Sequence, residues 1–134
     1  MDWNWLKNIK TALSAFADGS GLLQDYWGCY THDEGIDAGT VIVADHRVAP
    51  GKKFFTWGTH PSGKQWDHFL SDTDGGYIEL QQQAYFSNLG YGYAVLDPFE
   101  IKEFSIYWYP IKNTGGFVKA SKELAINFKR EEKG

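Results

Sequence analysis

Asp72-Thr73-Asp74-Gly75-Gly76-Tyr77-Ile78-Glu79-Leu80-Gln81-Gln82-Gln83 sets one carboxylate in the middle of an otherwise uncharged run that alternates as a strand does. An Asp/Gly cluster forms the turn that leads in. From Tyr77 the residues follow a period of two, as pleated backbone requires. Tyr77, Glu79, Gln81, Gln83 and Tyr85 then share one face, and Ile78, Leu80, Ala84 and Phe86 the other. The first face reads as a polar-aromatic platform centred on Glu79, the second as a core face. Tyr, Gln and Glu in a chain with six Trp suit a sugar better than a phosphate or a nucleic acid. The plain alternative is a solvent-facing Glu on an ordinary strand.

Similar signals lie on either side. Strands are expected over 26–31, 39–45, 53–58, 77–86, 102–109 and 122–128. The 39–45 segment is apolar on both faces, as a central strand should be, and 122–128 places Leu124, Ile126 and Phe128 on one face. Turns fall at His32-Asp33-Glu34-Gly35, Ala49-Pro50-Gly51, Asp97-Pro98 and Gly115-Gly116. Residues 59–76 read as a long polar connection holding His60, Trp66, Asp67 and His68, and 88–93 as a Gly/aromatic loop. Helical spacing occurs at Leu6, Ile9, Leu13 and Phe16, but Trp3 and Trp5 alternate, so this start reads equally as an irregular arm. The expectation is one all-β domain over 1–134, an antiparallel β-sandwich. It has a lead-in arm at 1–21, the sandwich at 22–129 and a charged tail at 130–134.

Composition narrows the function. A net charge of -4 and an isoelectric point near 5.5 argue against nucleic-acid and anionic-membrane partners, which need a basic face. No apolar run approaches the length of a membrane span. The single Cys29 excludes an internal disulfide or a multi-cysteine metal site, fits a reducing, cytoplasmic compartment, and reads as a small buried residue. His32, His46, His60 and His68 lack compact zinc spacing, although Asp45-His46, or His60 with His68, could converge in space. No metal and no cofactor is expected. Nucleophile elbow, P-loop and dinucleotide fingerprints are absent.

A carboxylate and an imidazole together can run acid–base chemistry on a sugar. The carboxylate takes a proton from the anomeric hydroxyl while the imidazolium gives one to the ring oxygen. Glu79 is the candidate base, and His46, His60 and His68 are the candidate acids. Trp57, Trp66 and Tyr77 can supply apolar faces for a pyranose, with Gln81 beside them as a further substrate contact. Trp108, on an alternating strand, reads as core.

Three blocks carry a family resemblance: Val43-Ala44-Asp45-His46-Arg47-Val48-Ala49-Pro50-Gly51-Lys52-Lys53-Phe54-Phe55-Thr56-Trp57-Gly58, the Asp72 to Gln81 stretch, and Leu96-Asp97-Pro98-Phe99-Glu100 through Trp108-Tyr109-Pro110-Ile111. Together they resemble a bacterial domain family of the galactose-mutarotase-like superfamily, often fused to tetratricopeptide repeats. The resemblance implies a β-supersandwich and places Ile78-Glu79-Leu80-Gln81 where aldose 1-epimerases carry the catalytic Glu. It covers only the C-terminal half of such an enzyme, and Phe99 stands where a Gly is expected. Self-association or a separately encoded partner half is therefore expected. The competing expectation is a non-catalytic sugar-binding or assembly module, or a remnant with no ligand.

Overall fold

Residues 5–17, 23–32, 35–84 and 95–128 are described in the computed structural model of the chain. They form strands β1 (Leu13–Phe16), β2 (Tyr26–Thr31), β3 (Ala38–Val43), β4 (Gly51–Thr56), β5 (Ile78–Gln83), β6 (Tyr107–Lys112), β7 (Lys119–Ala120) and β8 (Ala125–Ile126), and one α-helix, α1 (Pro61–Ser71). A first sheet has the order β1-β4-β5 and a second the order β2-β3-β6, while β7 and β8 form a separate ribbon. All pairings are antiparallel. The fold is thus an all-β sandwich, as its alternating segments foretell.

Strand β3 is the structural centre. It pairs with β2 on one side and β6 on the other, and Val41 and Ile42 have no exposed surface. The β2–β3–β6 face that carries Ile42 also carries Trp27, whose indole Nε1 donates to Gln82 Oε1 of β5 at 2.8 Å and ties the sheets together. The opposite face lies under the β7–β8 ribbon. There the Tyr26 and Tyr109 hydroxyls donate to the carbonyls of Val118 and Ser121, each at 2.8 Å. Gly28 is needed at this crossing, because a Cβ there would lie 2.0 Å from the Thr40 carbonyl oxygen. Covering both faces of β3 explains why Val41, Ile42 and Val43 are apolar in succession.

Several expectations need correction. Residues 59–76 are not a plain connection, since α1 fills most of them. Its start is built by His60 in extended conformation, whose ring accepts from the Ser62 backbone N–H, followed by Pro61 in the first turn. Trp66, Phe69 and Leu70 recur at helical spacing along it. The lead-in arm contains a short 3-10 turn, Leu6–Asn8, and then β1, so part of it belongs to the first sheet.

The reversal before β4 falls earlier than Ala49-Pro50-Gly51. The Asp45 carbonyl accepts from Val48 and Ala49 at 3.2 and 2.9 Å, and Gly51 already opens the strand. Strand β6 begins at Tyr107 rather than 102 and runs through Pro110, which an edge strand tolerates. Trp108 is not core: it is 54% exposed, on a strand that among the described residues has a neighbour on one side only. The strand expected over 122–128 is reduced to β8, Ala125–Ile126; Leu124, Ile126 and Phe128 are exposed, and Cys29 is only partly buried. Tyr85, Phe86, the 88–93 loop and the charged tail lie outside the described residues. No helix among those described is long and apolar enough to cross a membrane.

Candidate functional site

Directly opposed residues of an antiparallel pair project to the same side of the sheet. In the first sheet Phe16 lies opposite Lys53 and Lys53 opposite Gln81, while Ser14 lies opposite Phe55 and Phe55 opposite Glu79. These residues occupy the face turned away from the second sheet. The other face carries Lys52, Thr56 and Gln82, and both Lys52 and Thr56 are buried. Burial pushes the Lys52 ammonium below its ordinary pKa, opposed in part by the charge of Asp25.

On the outward face Glu79 is partly buried, and both its oxygens are engaged. Oε1 accepts from the Tyr77 hydroxyl at 2.9 Å and Oε2 from the Gln81 amide at 2.5 Å. The hydrogen bond to Glu79 raises the Tyr77 hydroxyl above its ordinary pKa, since the neutral phenol is the donor. Tyr77 is anchored in turn: its backbone N–H donates to Asp67 Oδ1 of α1 at 2.9 Å, and its carbonyl accepts from Thr56 Oγ1 at 3.0 Å. The expected Tyr77–Glu79–Gln81 cluster is therefore assembled by period-two geometry and fixed by the helix.

Aromatic rings extend this face toward α1. Phe55 meets Trp57 edge-on at 4.9 Å, Trp57 stacks on Trp66 at 4.9 Å with planes 16° apart, and Trp66 meets Phe69 edge-on at 6.2 Å. Gly63 makes the stack possible. A Cβ at Gly63 would lie 2.5 Å from the carbonyl oxygens of Trp57 and Gly58, so only glycine lets the helix approach this closely. Trp66 remains 47% exposed at the end of the stack. The Trp57 indole N–H and the Gln83 side-chain nitrogen are buried without a hydrogen-bond partner among the described residues, uncommon in a folded interior.

The histidines have other local partners. His46 sits in the β3–β4 reversal, where Asp25 Oδ1 accepts from its backbone N–H at 3.0 Å and lies 2.6 Å from its Nδ1. The backbone bond, then the ring bond, holds the Asp25 carboxyl below the ordinary carboxylate range. Asp45 is clasped by Arg47, whose Nη2 reaches Oδ2 at 2.6 Å, and its pKa is depressed strongly by that side-chain bond. Ligand atoms of Asp25, Asp45 and His46 lie within 4.8 Å of one another. Their mutual bonds and Arg47 account for the cluster. His60 caps α1 with Nδ1 3.1 Å from Ser62 Oγ, His68 lies beside Phe69, and His32 packs on Tyr30. Among the described residues none of these rings touches Glu79.

Lys53, Phe55, Phe16 and Phe69 join this face without having been singled out from the sequence. The signal for two of them was present: Lys53, Phe55 and Trp57 alternate just as Tyr77, Glu79 and Gln81 do. The Gln81-Gln82-Gln83 run concealed the inward role of Gln82, which also donates to the Ala49 carbonyl.

No solved structure matches this chain at a significant level. A family profile described as "Domain of unknown function (DUF5107)" matches residues 1–111, most of the chain. The chain therefore belongs to the DUF5107 family.

Proposed function

We propose that this domain binds carbohydrate on the outward face of its first sheet. The observation that carries the reading is the juxtaposition of a hydrogen-bonded carboxylate with a run of aromatic rings in mutual contact. A pyranose offers an apolar C–H face and a rim of hydroxyls. Rings answer the first, and an acid flanked by amide and phenol groups answers the second. Each Glu79 oxygen retains acceptor capacity after its bond to Tyr77 or Gln81. The galactose-mutarotase-like resemblance supports the same assignment.

Epimerase chemistry is the stronger form of this reading, with Glu79 as general base. It also needs an acid at the ring oxygen, and among the described residues no imidazole meets Glu79. Binding without turnover is therefore the preferred reading for this chain alone. Val95, Leu96, Phe99, Ile101 and Phe104 are exposed along one segment, which supports association with a second copy or a separately encoded partner half. The lone Cys29 thiol supports a cytoplasmic setting.

Titration of intrinsic tryptophan fluorescence with a panel of aldoses tests the proposal. A saturable change is expected for the wild type, weakened at least tenfold in Glu79→Gln with unfolding midpoint preserved. Absence of a saturable change for every sugar contradicts it. Polarimetry on the same sugars separates the two forms: mutarotation above background, lost in Glu79→Gln, marks an enzyme.

A further inference from the structure

The same face carries a cation, and we propose that Lys53 makes it selective for an acidic sugar, a uronate. The sugar carboxylate would sit on Lys53 Nζ while its hydroxyls meet Glu79 and Gln81. This inference rests on the carbohydrate reading above. Lys53 lies opposite Gln81 and two residues along β4 from Phe55, which lies opposite Glu79. Its Nζ is held 5.9 Å from the Phe16 ring centre and 5.8 Å from that of Phe55, within cation–π reach.

Lys53 makes no ion pair among the described residues. Lys7 and Lys122 also lie over single rings, those of Trp5 and Tyr107, but neither is on this face; Arg47 is bound to Asp45, and Lys52 is packed between the sheets. Ring faces orient the Lys53 ammonium without neutralising it. Glu79 is turned to Tyr77 and Gln81, so the acid and the cation stand as separate poles of one platform.

Two residues along a strand span about 7 Å. Lys53 and Glu79 form no ion pair, so a ligand carboxylate in contact with Nζ lies nearer the cation than the acid, and attraction outweighs repulsion. A single ammonium between two rings, in a strand interior whose backbone groups are paired, fits a monoanionic carboxylate better than a phosphate dianion, which takes several donors.

Calorimetric titration at low salt with glucuronate, galacturonate, glucose, galactose and glucose 6-phosphate tests this on the wild type, Lys53→Gln and Lys53→Arg. Uronates are expected to bind at least tenfold more tightly than the neutral sugars, with the advantage shrinking as salt rises. Lys53→Gln should erase the advantage, bringing uronate affinity down to that of the neutral sugars measured on the same variant, and Lys53→Arg should keep it. Equal binding of uronates and neutral sugars by the wild type, or a preference that survives in Lys53→Gln, overturns the role of Lys53 and leaves sugar binding intact. Tighter binding of the sugar phosphate overturns the carboxylate assignment. Failure of every sugar overturns both readings. If Lys53→Gln does not fold, the wild-type preference and its salt dependence, with Lys53→Arg, decide the matter.

Discussion

Among the described residues both sheets pair three antiparallel strands, yet the middle strand of the second is covered on both faces, whereas on the outward side of the first only α1 packs, at one end. Ile42 of β3 packs between sheets and Val41 under the β7–β8 ribbon, and both are fully buried. In β4 and β5, by contrast, alternate residues divide between a buried face with Lys52, Thr56 and Gln82 and an outward face with Lys53, Phe55, Glu79 and Gln81. Charge and hydrogen-bonding capacity collect on the face turned away from the second sheet. The comparison teaches that β3 holds the fold, while the partly exposed outward side of β4–β5 is the surface proposed above for a ligand.

The sharpest way to break this division is at β3. Ile42→Ala removes a fully buried side chain and should cost about 2–5 kcal/mol in urea unfolding. A loss below about 1 kcal/mol would show that the second sheet is not the stabilising one. Next comes Gly63→Ala, whose methyl group would meet two backbone carbonyls. It should cost about 1–3 kcal/mol through overpacking. It should also separate Trp66 from Trp57 and abolish their coupled near-ultraviolet circular dichroism. A retained spectrum would mean that α1 is not held by this close approach.

Acid offers a smaller effect, confined to the second sheet's end of the molecule. Asp25 and Asp45 have folded pKa values below their unfolded ones. Their contribution is therefore present above about pH 4, the unfolded carboxylate value, and is lost as pH falls through the lower folded values. Both groups are well exposed, so solvent screening keeps this contribution small. Asp25→Asn should flatten the decline in melting temperature below pH 4. An unchanged slope would remove the Asp25–His46 contact from the account.

How far the sequence carried this picture follows from the same geometry. β3 was legible because apolar residues on both sides of a strand have one common explanation, a buried centre. The Tyr77–Glu79–Gln81 cluster was legible because neighbours two apart on a strand must share a face. Helix α1 was missed because histidine is not among the usual capping residues and the surrounding polar residues masked Trp66, Phe69 and Leu70. Trp108 was misplaced for a different reason: alternation says which residues share a face, but not whether their strand lies at an edge. Convergence of the histidines depended on contacts between distant segments, which spacing along the chain does not encode.

Two exposed tryptophans allow the most direct test of the central claim, that the outward face of the first sheet is the ligand surface. Trp66 stacks on Trp57, whose neighbour Phe55 lies opposite Glu79, and Trp108 lies on the edge strand of the second sheet as described; each is about half exposed. Sugar affinity should be measured by calorimetry for Trp66→Ala and Trp108→Ala. The account predicts at least a tenfold loss for Trp66→Ala and less than a twofold change for Trp108→Ala. Equal losses, or a loss at Trp108 alone, would contradict it.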